Sequence, residues 1–410
     1  MKNRKLNFIF IRNLFLSGAF IYIIFFFWSK NGFFMPGFLS NLKVLNKETV
    51  SKAETSYNEN FYDKMAYIEK YSLIQHNLHK TVLDDAVDDR SVIFGKNDIL
   101  YYAVPKRSDT AMMSQSIADF GRFAEKSGSA FLYVQAPVKN LPGNTNFPKG
   151  IIDYSYINSH DMNEKLSVLN IKTLNLSDAA VKQGMKDENM FFKTDTHWNI
   201  ITAFWGYSEI MKTLDKDFNI KPDNYNLTCD LKNYTVKTWK ETYIGSCGKR
   251  IGKDAIKKRD DLSVLLPQYQ TNLSYFKYDK HGKLIKKREG DFKDALFFYG
   301  YLNMEDPYQD KYIVFMDWGA SEDIIINNDP KVKGKVLVIK DSFAMPVCGF
   351  LSQNFKEIRL IDIRKENKPQ NVYEYIKAYS PDLTLFISSP TSMYYSPEMF
   401  LNLKNIKPVL

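Results

Sequence analysis

KVLVIKDSFAMPV, running from Lys335 to Val347, is the segment that decides the fold. Its unbroken aliphatic run from Val336 to Ile339 suits a strand covered on both faces, because a strand with one wet face alternates with polar residues. The run meets Asp341 and Ser342, and the residues from Phe343 to Asn354 then suit a helix. Ser342 therefore falls at a strand-to-helix turn. Such a turn exposes a hydroxyl at the carboxyl edge of a sheet, where the helix start offers amides and its positive dipole end to a developing oxyanion. The plainer reading is a helix cap, with the serine oxygen accepting from an orphan amide.

Outward from this segment, apolar runs of the same kind occur at Ala130–Ala136 (AFLYVQA), Ile358–Ile363 (IRLIDI) and Leu383–Ser388 (LTLFIS), spaced by helix-length stretches. Thr110–Lys126 has the pattern of an amphipathic helix, and Ser91–Tyr102 that of short strands around a turn. Strands alternating with helices predict an α/β protein, a doubly wound parallel sheet with helices on both faces. From about 229 to 317 the composition shifts to Lys, Tyr and Asn with Gly punctuation, which predicts an antiparallel, mixed insertion.

A serine hydroxyl is a poor nucleophile until an imidazole takes its proton, and the imidazole works best when a carboxylate fixes its tautomer. KTDTHWN, Lys193–Asn199, supplies both in Asp195 and His197. The competing reading has Asp195 and Thr196 cap a helix from Trp198 to Leu214. The other four histidines, His76, His79, His160 and His281, stand in polar surroundings, which singles out His197. No metal site is predicted, since no further ligands are grouped at recognisable spacing.

With 410 residues, 44% hydrophobic and 25% charged, the chain is an ordinary globular protein of two to three domains, or one large domain with insertions. The net charge of +9 is spread without dense basic clusters, so no nucleic-acid partner is expected. Lys2, Arg4, Lys5 and Arg12 precede an apolar stretch from Leu14 to Trp28, with no small-x-small site after it. This predicts an uncleaved membrane anchor over residues 1–36, a helical stalk over 37–90 and a catalytic part over 91–400 outside the cytoplasmic membrane. An oxidising compartment allows a Cys229–Cys247 disulfide, with Cys348 unpaired; three free thiols are the alternative.

TDTHW followed by KDSF resembles the SGNH-hydrolase-like O-acetyltransferases typified by the alginate O-acetylation proteins, and the related bacterial DHHW-type proteins. In most SGNH esterases the serine block comes first, whereas in this family an Asp-x-His block precedes it, as here. The resemblance runs from YVQAPVKNLPG at Tyr133–Gly143 through both motifs to IDIR at Ile361–Arg364 and DLTLFIS at Asp382–Ser388. It implies an SGNH-hydrolase-like, flavodoxin-like sheet with Ser342 as nucleophile, His197 as base and then acid, and Asp195 orienting His197. Lys340 stands where SGNH esterases carry glycine, and Asp341 is expected to shape the turn. Lys139 and Arg364 become candidates for positioning substrate or elbow, with a salt bridge or a solvated surface charge as the alternative, and Trp198, Tyr133 and Trp318 for stacking on a sugar, with core packing as the alternative.

The resemblance implies a membrane-anchored O-acetyltransferase, without cofactor, that modifies a cell-surface or secreted polysaccharide through an acetyl-serine. Its expected partners are the polysaccharide acceptor and a membrane-bound O-acyltransferase that passes acetyl outward. A carbohydrate acetylesterase with the same triad is an alternative, as is a non-catalytic polysaccharide-binding or assembly protein.

Overall fold

The structure, a computed structural model, describes residues 21, 22, 29, 61–83, 90–319, 321–364, 371–401 and 403. The expected anchor lies outside them apart from residues 21, 22 and 29, as do residues 37–60 and 84–89 of the expected stalk. Among the described residues no helix is long and apolar enough to cross a membrane.

Val82–Leu83 (β1), Val92–Phe94 (β2) and Leu100–Tyr102 (β3) form a small antiparallel sheet. The main sheet begins with Ala130–Gln135 (β4) and Thr173–Asn175 (β5). Tyr234–Tyr243 (β6) and Asp260–Pro267 (β7) form a separate antiparallel pair. The main sheet resumes with Leu273–Tyr278 (β8), Leu284–Gly290 (β9), Glu322–Asn327 (β10), Lys335–Lys340 (β11), Glu357–Ile361 (β12) and Leu383–Ser388 (β13). Its order is β5-β4-β13-β11-β12-β10-β8-β9, parallel from β5 to β12 and antiparallel beyond.

Counted along the chain, the five parallel strands lie in the order 2-1-5-3-4, not the 2-1-3-4-5 of a flavodoxin-like sheet. Starting the count at β11, the strand before Ser342, and reading from β12 restores 2-1-3-4-5. The sheet is therefore a circular permutation of the expected one, which is why the Asp-x-His block precedes the serine. The strands of the expected insertion are antiparallel. Its β6–β7 pair stands apart, but β8 and β9 join the main sheet through β10 and extend it.

The helices used below are Lys64–Asn77 (α1), Thr110–Lys126 (α2), Ser155–Val168 (α3), Ile200–Phe218 (α4), Ser246–Ile251 (α5), Ala344–Leu351 (α6) and Val372–Tyr379 (α7). Successive strand residues go to opposite cores. Leu132, Val134, Val336, Val338 and Leu385 meet Ala203, Tyr207 and Ile210 of α4 and Val347 and Phe350 of α6. Phe131, Tyr133, Leu337, Ile339 and Phe386 meet Ile117 and Phe120 of α2, Leu166 of α3 and Ile376 of α7. Full burial of each such aliphatic or aromatic side chain contributes roughly 1.5–3 kcal/mol.

The α1 helix docks on the body. Buried Glu69 accepts from the Tyr308 hydroxyl and, at 2.8 Å, from Lys253 Nζ. Gly252, at φ 74°, permits this approach, since a Cβ there would lie 2.6 Å from Glu69 Cγ. The three cysteines are free thiols, so the Cys229–Cys247 bond is not formed. Ten-residue β6 lies between the two and spans roughly 30 Å, far beyond disulfide reach. Cys229 Sγ instead lies 3.4 Å from the Tyr207 hydroxyl, and Cys247 packs with Leu83 and Val92.

Candidate active site

The β11 strand delivers Ser342 to the carboxyl edge of the sheet. Asp341 fixes the turn: its carboxylate accepts from the amides of Phe343 at 2.9 Å and Ser389 at 2.6 Å and from the Ser392 hydroxyl at 2.9 Å. The helix after it is shorter than expected, Ala344–Leu351, and no side chain caps its start. Ser342 is thus not a cap. Its Oγ lies 2.7 Å from His197 Nε2, while His197 Nδ1 lies 2.5 Å from Asp195 Oδ1. The two motifs, distant in sequence, meet in one hydrogen-bonded chain.

The loop carrying Asp195 and His197 is closed by a bridge between Phe191 and Trp198 and by the Phe192 amide donating to the His197 carbonyl. Asn199 caps the helix that follows, accepting from the Thr202 amide at 3.0 Å, so α4 begins at Ile200 and Asp195 does not cap it. Lys139 crosses beneath the loop and donates to the carbonyls of Phe192, Lys193 and Asp195 at 2.7, 3.2 and 2.6 Å. Burial pulls its pKa down. Asp260 holds the other side, accepting from the amides of Lys193 and Thr194 and from the Thr194 hydroxyl.

Asp195 is itself cradled. Its Oδ2 accepts from the Ser246 amide, at the start of α5, and from the Tyr243 hydroxyl at 3.0 Å, while Oδ1 accepts from the His197 amide at 2.7 Å. Burial works to raise its pKa, but His197 and these donors hold it well below the usual carboxylate range. His197 balances the same way: burial disfavours the imidazolium, yet the Asp195 charge and hydrogen bond carry its pKa above the ordinary value. The Tyr312 ring stacks on the imidazole at 4.0 Å and 16°. Burial raises the pKa of Asp310, which lies 3.2 Å from the Tyr243 hydroxyl, and the Asp195 charge adds to that.

Of the residues expected to touch substrate, four face inward. Trp198 and Tyr133 are fully buried, so neither ring can meet a sugar; Tyr133 donates to Gln135 at 2.6 Å. Lys139 holds loop carbonyls. Arg364 pairs with Asp362, Nε to Oδ1 at 2.9 Å and Nη2 to Oδ2 at 2.8 Å. The cradle of Tyr243, Gly245, Ser246, Asp310 and Tyr312 was not legible in the sequence; its one signal was the glycine pair Gly245 and Gly248 beside Cys247. Among the described residues no group of three His, Cys, Asp or Glu is placed to hold a metal ion.

No protein-family description and no curated protein matches the chain. Solved structures share its fold. Bacillus cereus PatB1 with a sulfonyl adduct is 23% identical and aligns over 77% of this chain and 99% of its own, with a TM-score of 0.60. A DHHW family protein from Eubacterium siraeum is 16% identical over 81% of this chain and 100% of its own, with a TM-score of 0.58. The chain is thus an α/β protein of the same architecture as these two, carrying a Ser-His-Asp arrangement at its sheet edge.

Proposed function

We propose that this chain is a serine-dependent O-acetyltransferase that moves an acetyl group onto a hydroxyl of a cell-surface or secreted polysaccharide. The observation that carries the reading is the unbroken line from Ser342 Oγ through His197 to Asp195, at 2.7 and 2.5 Å. His197 Nε2 takes the Ser342 proton as Oγ attacks the acetyl carbonyl; the oxyanion meets the Ser342 amide, and His197 returns the proton to the leaving group. The acceptor hydroxyl then gives its proton to His197, attacks the acetyl-serine, and the proton goes back to Ser342 Oγ. Residues 1–36 anchor the chain, 37–90 set the catalytic part, 91–400, off the membrane on its outer side, and a membrane-bound O-acyltransferase supplies acetyl.

The test incubates the full chain in detergent with a chromogenic acetyl ester, with and without an oligosaccharide, and reads both acetate and acetylated sugar by mass spectrometry. Acetylated sugar that vanishes in Ser342→Ala supports the transferase, whereas serine-dependent acetate release that ignores acceptors makes it an acetylesterase. Turnover unchanged in Ser342→Ala overturns both. A sulfonyl adduct has been seen on PatB1; a sulfonyl fluoride should therefore modify Ser342 here, and the His197→Ala variant should resist it.

A further inference from the structure

The turn between β8 and β9 lies at the same edge of the sheet as Ser342. Strand pairing sets one row across the sheet, from Ile339 in β11 through Ile361, Glu322 and Tyr278 to Leu284 in β9. Because β8 is antiparallel to β10, and β10 to β12, β8 runs in the direction of β11. The turn from Asp279 to Lys283 therefore leaves the sheet on the side where Ser342 follows Ile339. Three strand spacings of about 4.8 Å separate β11 from β8, which puts this tip roughly 15 Å to the side of the nucleophile.

The tip is apolar and basic at once. Leu284 and Ile285 are 43% and 51% exposed, and partly buried Tyr278 pairs across from Leu284. Residues 277–290 carry six Lys and Arg against two carboxylates, Asp279 and Glu289. Asp279 is turned onto the backbone, accepting from the amides of His281 and Lys283 at 2.8 and 3.0 Å, and Glu289 pairs with Lys287 at 3.0 Å. Asp317 pairs with Lys277 and Lys286 at 3.1 and 2.9 Å, which fastens the base of the hairpin to the body. Lys280 and Lys283, at the tip, form no ion pair among the described residues. Exposed aliphatic groups flanked by lysines suit the boundary of a bilayer: the aliphatics enter the acyl region, tyrosine sits at headgroup level and the ammoniums meet lipid phosphates. A soluble polyanion would use the lysines but leave Leu284 and Ile285 in water.

We infer that the tip of the β8–β9 hairpin rests on an anionic lipid surface, with Leu284 and Ile285 entering it and Lys280 and Lys283 on its phosphates. This contact sets how far off the bilayer the catalytic part stands and turns the Ser342 edge toward it. Its use, keeping Ser342 near acetyl delivered from the membrane, rests on the proposed transferase reading; the binding itself does not.

The test reads amide hydrogen exchange by mass spectrometry in the full chain, reconstituted in nanodiscs of phosphatidylcholine with or without phosphatidylglycerol. Residues 279–286 should exchange about tenfold more slowly where phosphatidylglycerol is present, and the slowing should shrink in high salt. Residues 329–334, between β10 and β11 at the opposite edge of the sheet, should exchange alike in both. Lys280→Glu with Lys283→Glu should abolish the slowing, as should Leu284→Ser with Ile285→Ser. All four side chains are exposed, and unchanged exchange in β4 and β11 verifies that the variants fold. Equal exchange with and without phosphatidylglycerol, or equal slowing at 329–334, overturns the inference. So does slowing that survives Leu284→Ser with Ile285→Ser, or that soluble polyphosphate reproduces in full, either of which makes the tip a polyanion surface. Ser342-dependent hydrolysis of a small acetyl ester, read on the same samples, reports separately on the catalytic reading.

Discussion

The Tyr243 hydroxyl donates to Asp195 Oδ2 at 3.0 Å while lying 3.2 Å from Asp310 Oδ1, so one phenolic proton stands between two carboxylates. Tyr243 closes β6, Ser246 opens α5, and Asp310 precedes Tyr312, the ring stacked on His197. The residues that orient Asp195 thus come from the segment between β6 and β10. That segment completes the site that the parallel sheet begins.

This arrangement makes the pH profile informative. His197 must be neutral to take the Ser342 proton, and its pKa is raised, so turnover should fall as pH drops through a value above 6.5, the ordinary imidazole figure. The Asp310 charge is one of the contributions that raise it. Asp310→Asn should therefore move the acid limb to lower pH with little change in the plateau, because the amide oxygen can still accept from the Tyr243 hydroxyl and the Tyr312 amide. Tyr243→Phe removes one donor from a buried carboxylate and should lower kcat by about tenfold. An acid limb at the same pH in Asp310→Asn would sink the assignment.

Lys139 offers a stability test. Its ammonium donates to three loop carbonyls at once, and although the Lys193 carbonyl also accepts from the Leu100 amide at 2.8 Å, those of Phe192 and Asp195 have no other donor among the described residues. Lys139→Met keeps the stem but not the donors and should cost about 2–4 kcal/mol. Urea unfolding should show a lower midpoint at unchanged slope. A midpoint within error of the parent would mean that the loop holds itself.

The difference between Lys139 and Ser342 explains what the sequence could disclose. Ser342, Asp195 and His197 were legible only as a set, since each motif alone also reads as a helix cap and it is their occurrence in one chain that points to a nucleophile with its base. The parallel strands were legible for another reason: burial on both faces leaves an unbroken apolar run. Lys139 and Arg364 carry charge that reads as a salt bridge or a solvated surface, and only the tertiary structure supplies the carbonyls that hold Lys139 and shows that Arg364 pairs with Asp362. The permuted strand order showed in the sequence only through the order of the two motifs, since each strand looks the same wherever it is placed. The cradle around Asp195 is made of ordinary tyrosines, glycines and backbone amides, whose roles arise from proximity alone.

Glu69 joins α1 to the loop that precedes β7. Its carboxylate is buried and accepts from both Tyr308 and Lys253, whereas Lys253 itself is well exposed. Glu69→Ala should therefore cost about 1–3 kcal/mol, and Lys253→Ala less than about 1 kcal/mol. Chemical denaturation of the two variants gives the ranking. Equal losses would show that the ion pair, not the Tyr308 hydrogen bond, is what fastens α1.

Gly245 and Gly248 separate positioning from packing. Gly245 has an ordinary φ of −82°, so any residue can adopt its backbone, yet a Cβ there would stand 2.1 Å from Asp195 Cβ and 2.3 Å from its Oδ2. Alanine must push Asp195 aside. Displacement of a catalytic constellation by about 1 Å can cost on the order of 100-fold in rate. A Cβ at Gly248 is crowded too, 2.7 Å from Ile244 Cγ2, 2.9 Å from Ile256 Cδ1 and 3.1 Å from Thr194 Cβ, but none of these near contacts is with the Asp195 carboxylate. Both alanines should destabilise by about 1–3 kcal/mol through overpacking. Only Gly245→Ala should lower kcat by about 100-fold and slow sulfonylation of Ser342, because only there does the strain fall on the group that orients His197. If activity instead falls in step with stability in both, the glycine at 245 serves packing and the Asp195 side chain tolerates displacement.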